Sequence, residues 1–261
     1  MSDPWKADQP IKEDNIINES ERDSATPAND EYKLVKLEDD GKISGEFIRH
    51  KVTHYYTSND TWTKPANLIY VDVEVVGGGG GAHGAHRSTS TQFVSHSGSG
   101  GGGGGYSKKK IDASSLSATE TVTVGSGGGG GFGTTASNAG NAADGEDGEV
   151  SSFGTHLSAS GGGGATRPGF IAGNGGEGLD GDLNIKGQGG SSATNNDNGN
   201  QPTGGQGGSS FMGGGGGGSN GVADDGGNYG GGGGGGYIAS SAGQKGGDGA
   251  PGIVIVTEYY S

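Results

Sequence analysis

The residue types able to carry chemistry are all present except cysteine, but their spacing assembles no reaction centre. His83-Gly84-Ala85-His86 sets two imidazoles three residues apart, one row of any helix with three residues per turn. Two ligands without a neighbouring carboxylate fall short of a metal site, and a solvent-facing loop serves equally well. Asp144, Glu146, Asp147 and Glu149 form an acidic patch that misses the EF-hand spacing. Gly175-Gly176-Glu177-Gly178-Leu179-Asp180 approaches a calcium β-roll repeat, but Asp182 stands where an apolar residue belongs and no tandem copies follow. Gly-x-Gly-x-x-Gly matches are guaranteed by composition, and neither a Gly-Lys-Ser/Thr phosphate loop nor a strand–Ser–helix elbow occurs. The expectation is a non-enzymatic protein with no cofactor and no metal.

The elements that would position any such residue must be built from an unusual composition. Of 261 residues 65 are glycine, 27% are hydrophobic, and the formal net charge is -14. An ordinary apolar core needs nearly twice that hydrophobic fraction, which leaves either disorder or a fold that packs backbone. The acidic balance offers no basic patch for phosphates, so nucleic acid is not an expected partner. Lys108-Lys109-Lys110 reads as a solvated edge. No apolar run is long enough to span a membrane. Met1-Ser2-Asp3-Pro4-Trp5 lacks the charged and apolar regions of a secretory signal; the chain is expected to be made in the cytosol and either to act there or to leave within an assembly released by lysis.

Two of the glycines, Gly41 and Gly45, precede residue 51; residues 51–76 hold none, and the rest lie between Gly77 and Gly252. Residues 1–50 therefore read as an extended arm, with Leu34, Val35 and Leu37 before the Asp40-Gly41 turn signal and Ile43, Phe47 and Ile48 after it forming a small docking unit. Strands are expected near 51–57, 68–76, 120–124 and 253–260. The clearest alternates Val71, Val73 and Val75 on one face with Tyr70, Asp72 and Glu74 on the other. Strands at both ends of a glycine tract tie its ends together, which a linker does not require.

Pure glycine runs occur at 77–81, 100–105, 127–131, 161–164, 213–218 and 230–236, without the Gly-X-Y period of collagen. Polyproline-II-type helices of glycine would accommodate them. Such a helix has no internal hydrogen bonds, so its outward N–H and C=O groups must bond to neighbouring helices, and only glycine allows backbones that close. The long pure runs are expected inside the bundle and the interrupted Gly-Gly-x runs at its periphery. Tyr106, Phe132, Phe211, Tyr229 and Tyr237 sit beside the runs, either capping the bundle or offering ring faces to sugars or partner proteins.

Thr61-Trp62-Thr63-Lys64-Pro65-Ala66, Val71 to Val76 with Gly77–Gly81, Thr121-Val122-Thr123-Val124-Gly125, Ser151-Ser152-Phe153-Gly154 with Ser158-Ala159-Ser160-Gly161, and Gly246 to Val256 follow in an order that resembles a glycine-rich domain of bacteriophage tail fibres and adhesins. The resemblance covers about 51–261. It implies a bundle of polyglycine II helices closed by a few β-strands, with little or no α-helix, at a fibre tip whose variable loops contact host receptors. It also implies a virion protein anchored by residues 1–50 to other virion proteins, with a host surface glycan or outer-membrane protein as the partner of 51–261 and a homotrimer as the default assembly. A capsid or tail decoration with no receptor role is the alternative; a surface- or ice-binding glycine-helix protein is a third, disfavoured by long polar loops such as 191–203.

Overall fold

The computed structural model of the chain describes residues 50–86, 96–134, 142–167, 171–194, 203–218, 222–238 and 242–260. The anchoring residues expected at Leu34, Val35, Leu37, Ile43, Phe47 and Ile48 lie outside them. Ten strands are described: β1 (Lys51–Tyr56), β2 (Asp60–Thr63), β3 (Leu68–Val76), β4 (Tyr106–Asp112), β5 (Thr119–Thr123), β6 (Ser151–Phe153), β7 (Leu157–Ala159), β8 (Gly178–Leu179), β9 (Leu183–Ile185) and β10 (Ile253–Tyr260). They form two antiparallel five-stranded sheets, ordered β1-β10-β3-β4-β9 and β2-β5-β6-β7-β8. There is no α-helix among the described residues. The fold is mainly β and irregular, as the sequence implies.

The period-two pattern of β3 decides how the sheets face each other. Val71, Val73 and Val75 are fully buried and meet Trp62, Val122, Phe153, Leu157, Val254 and Val256 between the sheets. Trp62 and Phe153 pack edge-on, 5.6 Å between ring centroids. Burial of each such side chain stabilises by about 1.5–3 kcal/mol, so the few large apolar residues are concentrated where they count. The C-terminal strand pairs back on β3, Val256 opposite Val73, and β1 adds on its other side. The Trp-Thr-Lys-Pro motif is a clasp. Trp62 Nε1 donates to the buried Glu258 Oε1 at 2.7 Å, tying one sheet to the other, while Lys64 Nζ donates to the carbonyls of Leu116 (2.8 Å) and Ala113 (3.3 Å). Tyr260 O–H also donates to Glu258, and His54 Nε2 lies 3.1 Å from it.

Strands β2, β4 and β6–β9 were not among the four expected. The lysine triplet is no solvated edge: β4 lies between β3 and β9. Lys108 pairs with Glu74 at 3.1 Å, Lys109 Nζ donates to the His156 carbonyl, and Lys110 sits 3.9 Å over the Tyr70 ring. The near β-roll at 175–180 leads into the short β8–β9 turn instead.

Beyond the strands the chain runs as twelve extended segments among the described residues. We label them g1 (77–86), g2 (96–105), g3 (125–134), g4 (142–150), g5 (160–167), g6 (171–177), g7 (187–194), g8 (203–210), g9 (213–218), g10 (222–227), g11 (230–238) and g12 (242–252). Their hydrogen bonds repeat every three residues and go to other segments. In g1, Gly77 and Gly80 donate to Gly105 and Gly102 of g2; Gly78 and Gly81 to Glu149 and Glu146 of g4; Gly79 and Ala82 to Ala250 and Gly247 of g12. Its carbonyls accept from g3, g5 and g11: Gly128 to Gly79, Gly162 to Gly78, Gly233 to Gly80. This is the polyglycine II arrangement, three rows per helix with none bonded internally. Among the described glycines, positive φ occurs at Gly154, in the β6–β7 turn outside the segments, and at Gly230, where g11 begins, so the segments share one hand.

Three segments are enclosed completely. Like g1, g2 bonds to six others (g1, g5, g6, g7, g8 and g11), and g11 bonds to g1, g2, g8, g9, g10 and g12. The remaining segments close a ring around this triad in the order g3-g4-g5-g6-g7-g8-g9-g10-g12, through bonds such as Glu146 to Gly129, Gly163 to Asn174, Ser191 to Gln206, Gly227 to Gly214 and Gly249 to Gly128. The expectation that long pure runs are interior holds for 77–81, 100–105 and 230–236 and fails for 127–131 and 213–218, which lie in the ring. Run length does not decide position; the number of rows that meet backbone does. A Cβ on Gly101 would overlap the carbonyl oxygen of Gly80, whereas a Cβ on Gly214 would meet nothing within 4 Å.

Outward amides of the ring are capped by side chains. Asp144 and Asp147 accept from Arg167 (2.8 Å) and Gly164 (2.7 Å) of g5, and Glu146 and Glu149 accept from Gly129 and Ser126 of g3, both at 3.3 Å. Each pair is spaced three residues apart, so each forms one row facing one neighbour. Asp248 accepts from Gly130 at 2.6 Å. Desolvation pulls the Asp248 carboxyl upward, but the bonds from Lys245 and the Gly130 amide outweigh it and hold it below the usual range.

Two substitutions test this packing by chemical denaturation. Gly101→Ala in the triad is expected to destabilise by about 3 kcal/mol, while Gly214→Ala in the ring is neutral or stabilising by up to about 1 kcal/mol. Equal effects would contradict the arrangement. Asp147→Ala is expected to cost about 1 kcal/mol and to raise amide exchange at Gly164 with Gly129 unchanged.

Candidate binding surface

The domain has two unlike ends. β10 runs away from the bundle, from Ile253 opposite Val76 to Tyr259 opposite Lys51, and the Tyr260 amide donates to the His50 carbonyl. The chain therefore enters at the sandwich end remote from the glycine segments. At the other end the segments meet in consecutive pairs. His86 and His96 exchange backbone bonds at 2.8 Å across g1 and g2, and Thr166 and Ile171 do so at 3.0 Å across g5 and g6. Thr194 and Thr203 join g7 to g8 through hydroxyls 2.7 Å apart, Asp224 donates to Gly217 between g10 and g9, and Ile238 bridges Gly243 between g11 and g12. The Ala143 amide donates to the Phe132 carbonyl to join g4 and g3.

The connections between these pairs, 87–95, 135–141, 168–170, 195–202, 219–221 and 239–241, lie outside the described residues. All six are rooted at this one end, and all but Pro168-Gly169-Phe170 are rich in Ser, Thr, Asn and Gln. Among the described residues near the roots, Phe132 (74% exposed), Val222 (76%) and Ile171 (57%) are apolar and accessible. These three apolar side chains are accessible at the same end as Thr194, which is also exposed.

The five aromatic residues singled out from the sequence divide between the ends. Tyr106, Phe211 and Tyr229 lie at the junction of bundle and sandwich. Tyr106 is buried, its ring 4.3 Å from that of Phe211 and its hydroxyl donating to Glu74 Oε2 at 2.9 Å. Burial, and then the neighbouring carboxylate, push that phenol well above its usual range. Tyr229 packs against the cluster of Val76, Tyr106 and Ile253. Phe132 and Tyr237 lie near the far end, Phe132 on the outward row of g3 that also carries Ser126 and Gly129. Sequence reasoning missed Arg167, Ile171, Thr194, Thr203 and Val222 as root residues. No local pattern singled them out; each is the first or last described residue beside a connection at the far end.

His83 and His86 do share a row, as a three-residue helix requires. They do not face solvent together: His83 is fully buried, its Nε2 3.5 Å from Asp144 Oδ1. Burial lowers its pKa, against the upward pull of the Gly84 backbone and Asp144. No three His, Asp or Glu side chains converge as a metal-ion group among the described residues. Nor is any helix among them long and apolar enough to cross a membrane.

A comparison with curated proteins finds no match. The model of the glycine-rich domain family matches residues 54–259, from within β1 to the penultimate residue of β10. That span takes in both sheets and all twelve glycine segments, and the chain belongs to the glycine-rich domain family.

Proposed function

We propose that this chain is a phage virion protein, a fibre or tip that holds its glycine-rich domain outward for attachment to the host cell. The observation that carries the reading is the polarity of the domain. Residue 50 enters at the outer end of the sandwich, and all six connections between paired glycine segments are rooted at the opposite end. A scaffold entered from one end and recognising from the other is what a particle-borne attachment protein needs.

The backbone-bonded bundle supports the same reading. Recognition loops are tolerated on a rigid frame whose stability does not depend on them, and here the frame is fixed by backbone amides. Residues 1–50 serve in this proposal as the anchor to other virion proteins, with Leu34, Val35, Leu37, Ile43, Phe47 and Ile48 as its apolar contacts. The partner at the far end is a host surface glycan or outer-membrane protein, and the assembly is a homotrimer. Phe132 and Tyr237 are the ring contacts best placed for it.

Purified full-length chain is expected to compete with intact particles for adsorption to host cells, and antibodies raised against it to label the virion surface. Replacing 195–202 by a Gly/Ser linker is expected to reduce adsorption at least about tenfold, equivalent to about 1.4 kcal/mol, while leaving particle assembly unchanged. Absence from virions would overturn the proposal. Normal adsorption by particles lacking the distal connections, with assembly still dependent on the chain, would instead identify a decoration protein.

A further inference from the structure

A buried titratable group lies directly beneath the far end of the bundle. On g1 the row of Gly77, Gly80 and His83 faces g5: a Cβ on Gly77 would overlap the Ser160 carbonyl and one on Gly80 the Gly163 carbonyl. One turn further on that row is His83, which has no exposed surface, and g5 there runs through Thr166, bridged to Ile171, to Arg167. Asp144 of g4 reaches the same point. Its Oδ1 accepts from the Arg167 amide at 2.8 Å and lies 3.5 Å from His83 Nε2. One carboxylate oxygen thus stands between the last amide of g5 and a buried ring.

We propose that His83, Asp144 and Arg167 form a proton-sensitive latch, in which protonation of the imidazole draws the Asp144 carboxylate inward, frees the Arg167 amide and loosens the far end of the bundle. The three residues stand at the roots of three connections, 87–95, 135–141 and 168–170, so one proton acts on three of them. The charged groups acting on the ring are Asp144 from g4, Arg167 from g5 and His86 from g1 itself. From g2, His96 bonds the His86 backbone, and from g11 the Gly236 amide donates to the His83 carbonyl. The sandwich, with its apolar core, is not part of the latch.

The direction follows from burial. Burial is the main influence on the ring and favours its neutral form in the folded state. Its contribution to stability is complete above the ordinary imidazole value of about 6.5 and is lost as the pH falls from there toward the lower folded value. The latch does not depend on the attachment reading.

Hydrogen exchange of the full-length chain, corrected for intrinsic rates, tests it between about pH 7.5 and pH 5. Amides of 82–86, 143–146 and 164–167 are expected to exchange faster below the transition, by up to about tenfold per pH unit for one proton, with β3 and β10 unchanged. His83→Gln is expected to abolish this dependence, and Asp144→Asn to abolish it at the Arg167 amide, because a neutral side chain still accepts from that amide but is not drawn to the protonated ring. An identical pH response in wild type and His83→Gln would overturn the latch. Should His83→Gln fail to fold, the wild-type ring proton titration decides: an ordinary imidazole midpoint, or no coupled shift at the Arg167 amide, would equally overturn it.

Discussion

Every backbone amide in a helix without internal hydrogen bonds must find an acceptor on another chain segment or in solvent. That obligation governs the architecture of this protein. A three-residue helix directs its donors and acceptors along three rows, and g1 meets the demand with three neighbours that accept from it and three that donate to it. Hexagonal packing follows without further design. Three mutually bonded segments surrounded by a ring of nine is the smallest arrangement in which a triad is wholly enclosed. The chain follows it economically, with g1 and g2 inside, g3 to g10 in order around the rim, g11 back inside and g12 closing the ring.

Glycine makes such close packing sterically possible but carries a large entropic cost on ordering. The sandwich reduces that cost by fixing where segments start. β3 and β4 pair antiparallel with Val76 opposite Tyr106, and the next bond, Gly77 to Gly105, already belongs to g1 and g2. In the same way Ile253 opposite Val76 passes into the bond from Gly79 to Ala250. The apolar core of Val71, Val73, Phe153 and Val256 thus sets the register of a bundle that has almost no side chains of its own to specify it. The buried Trp62–Glu258 clasp adds direction to the apolar contact, because an unpaired carboxylate there would be costly. This gives the Trp-Thr-Lys-Pro sequence a structural reason independent of any ligand.

What could be read from the sequence divides along the same physical line. Strands with local alternation, β3 above all, and the return of the C-terminal strand to it were legible, since period two reports one buried face. So was the polyglycine bundle, whose runs are bracketed by strands, as a linker's need not be, and lack the Gly-X-Y period of collagen. β4 was not, because its lysines are satisfied by Glu74, the His156 carbonyl and the Tyr70 ring, all distant in sequence. The ring position of 213–218 was hidden for a similar reason: six glycines look the same whether their rows meet backbone or water. Among the candidate residues, the aromatics beside the runs were easily picked out, but their division between two ends depends on which connections pass through the sandwich. The paired rows Asp144/Asp147 and Glu146/Glu149 did carry a readable signal in their spacing of three, once the helix is known to be extended.

The acidity of the domain can then be understood as a surface property of this kind of bundle. Each ring segment has outward amides that no neighbouring helix can reach, and a carboxylate on a short side chain accepts from them without approaching closely. Part of this charge caps the scaffold, with four carboxylates of g4 directed to amides of g3 and g5. The consequence for function is a separation of duties. Glycine and its carboxylate caps hold the frame, and the sandwich sets its register.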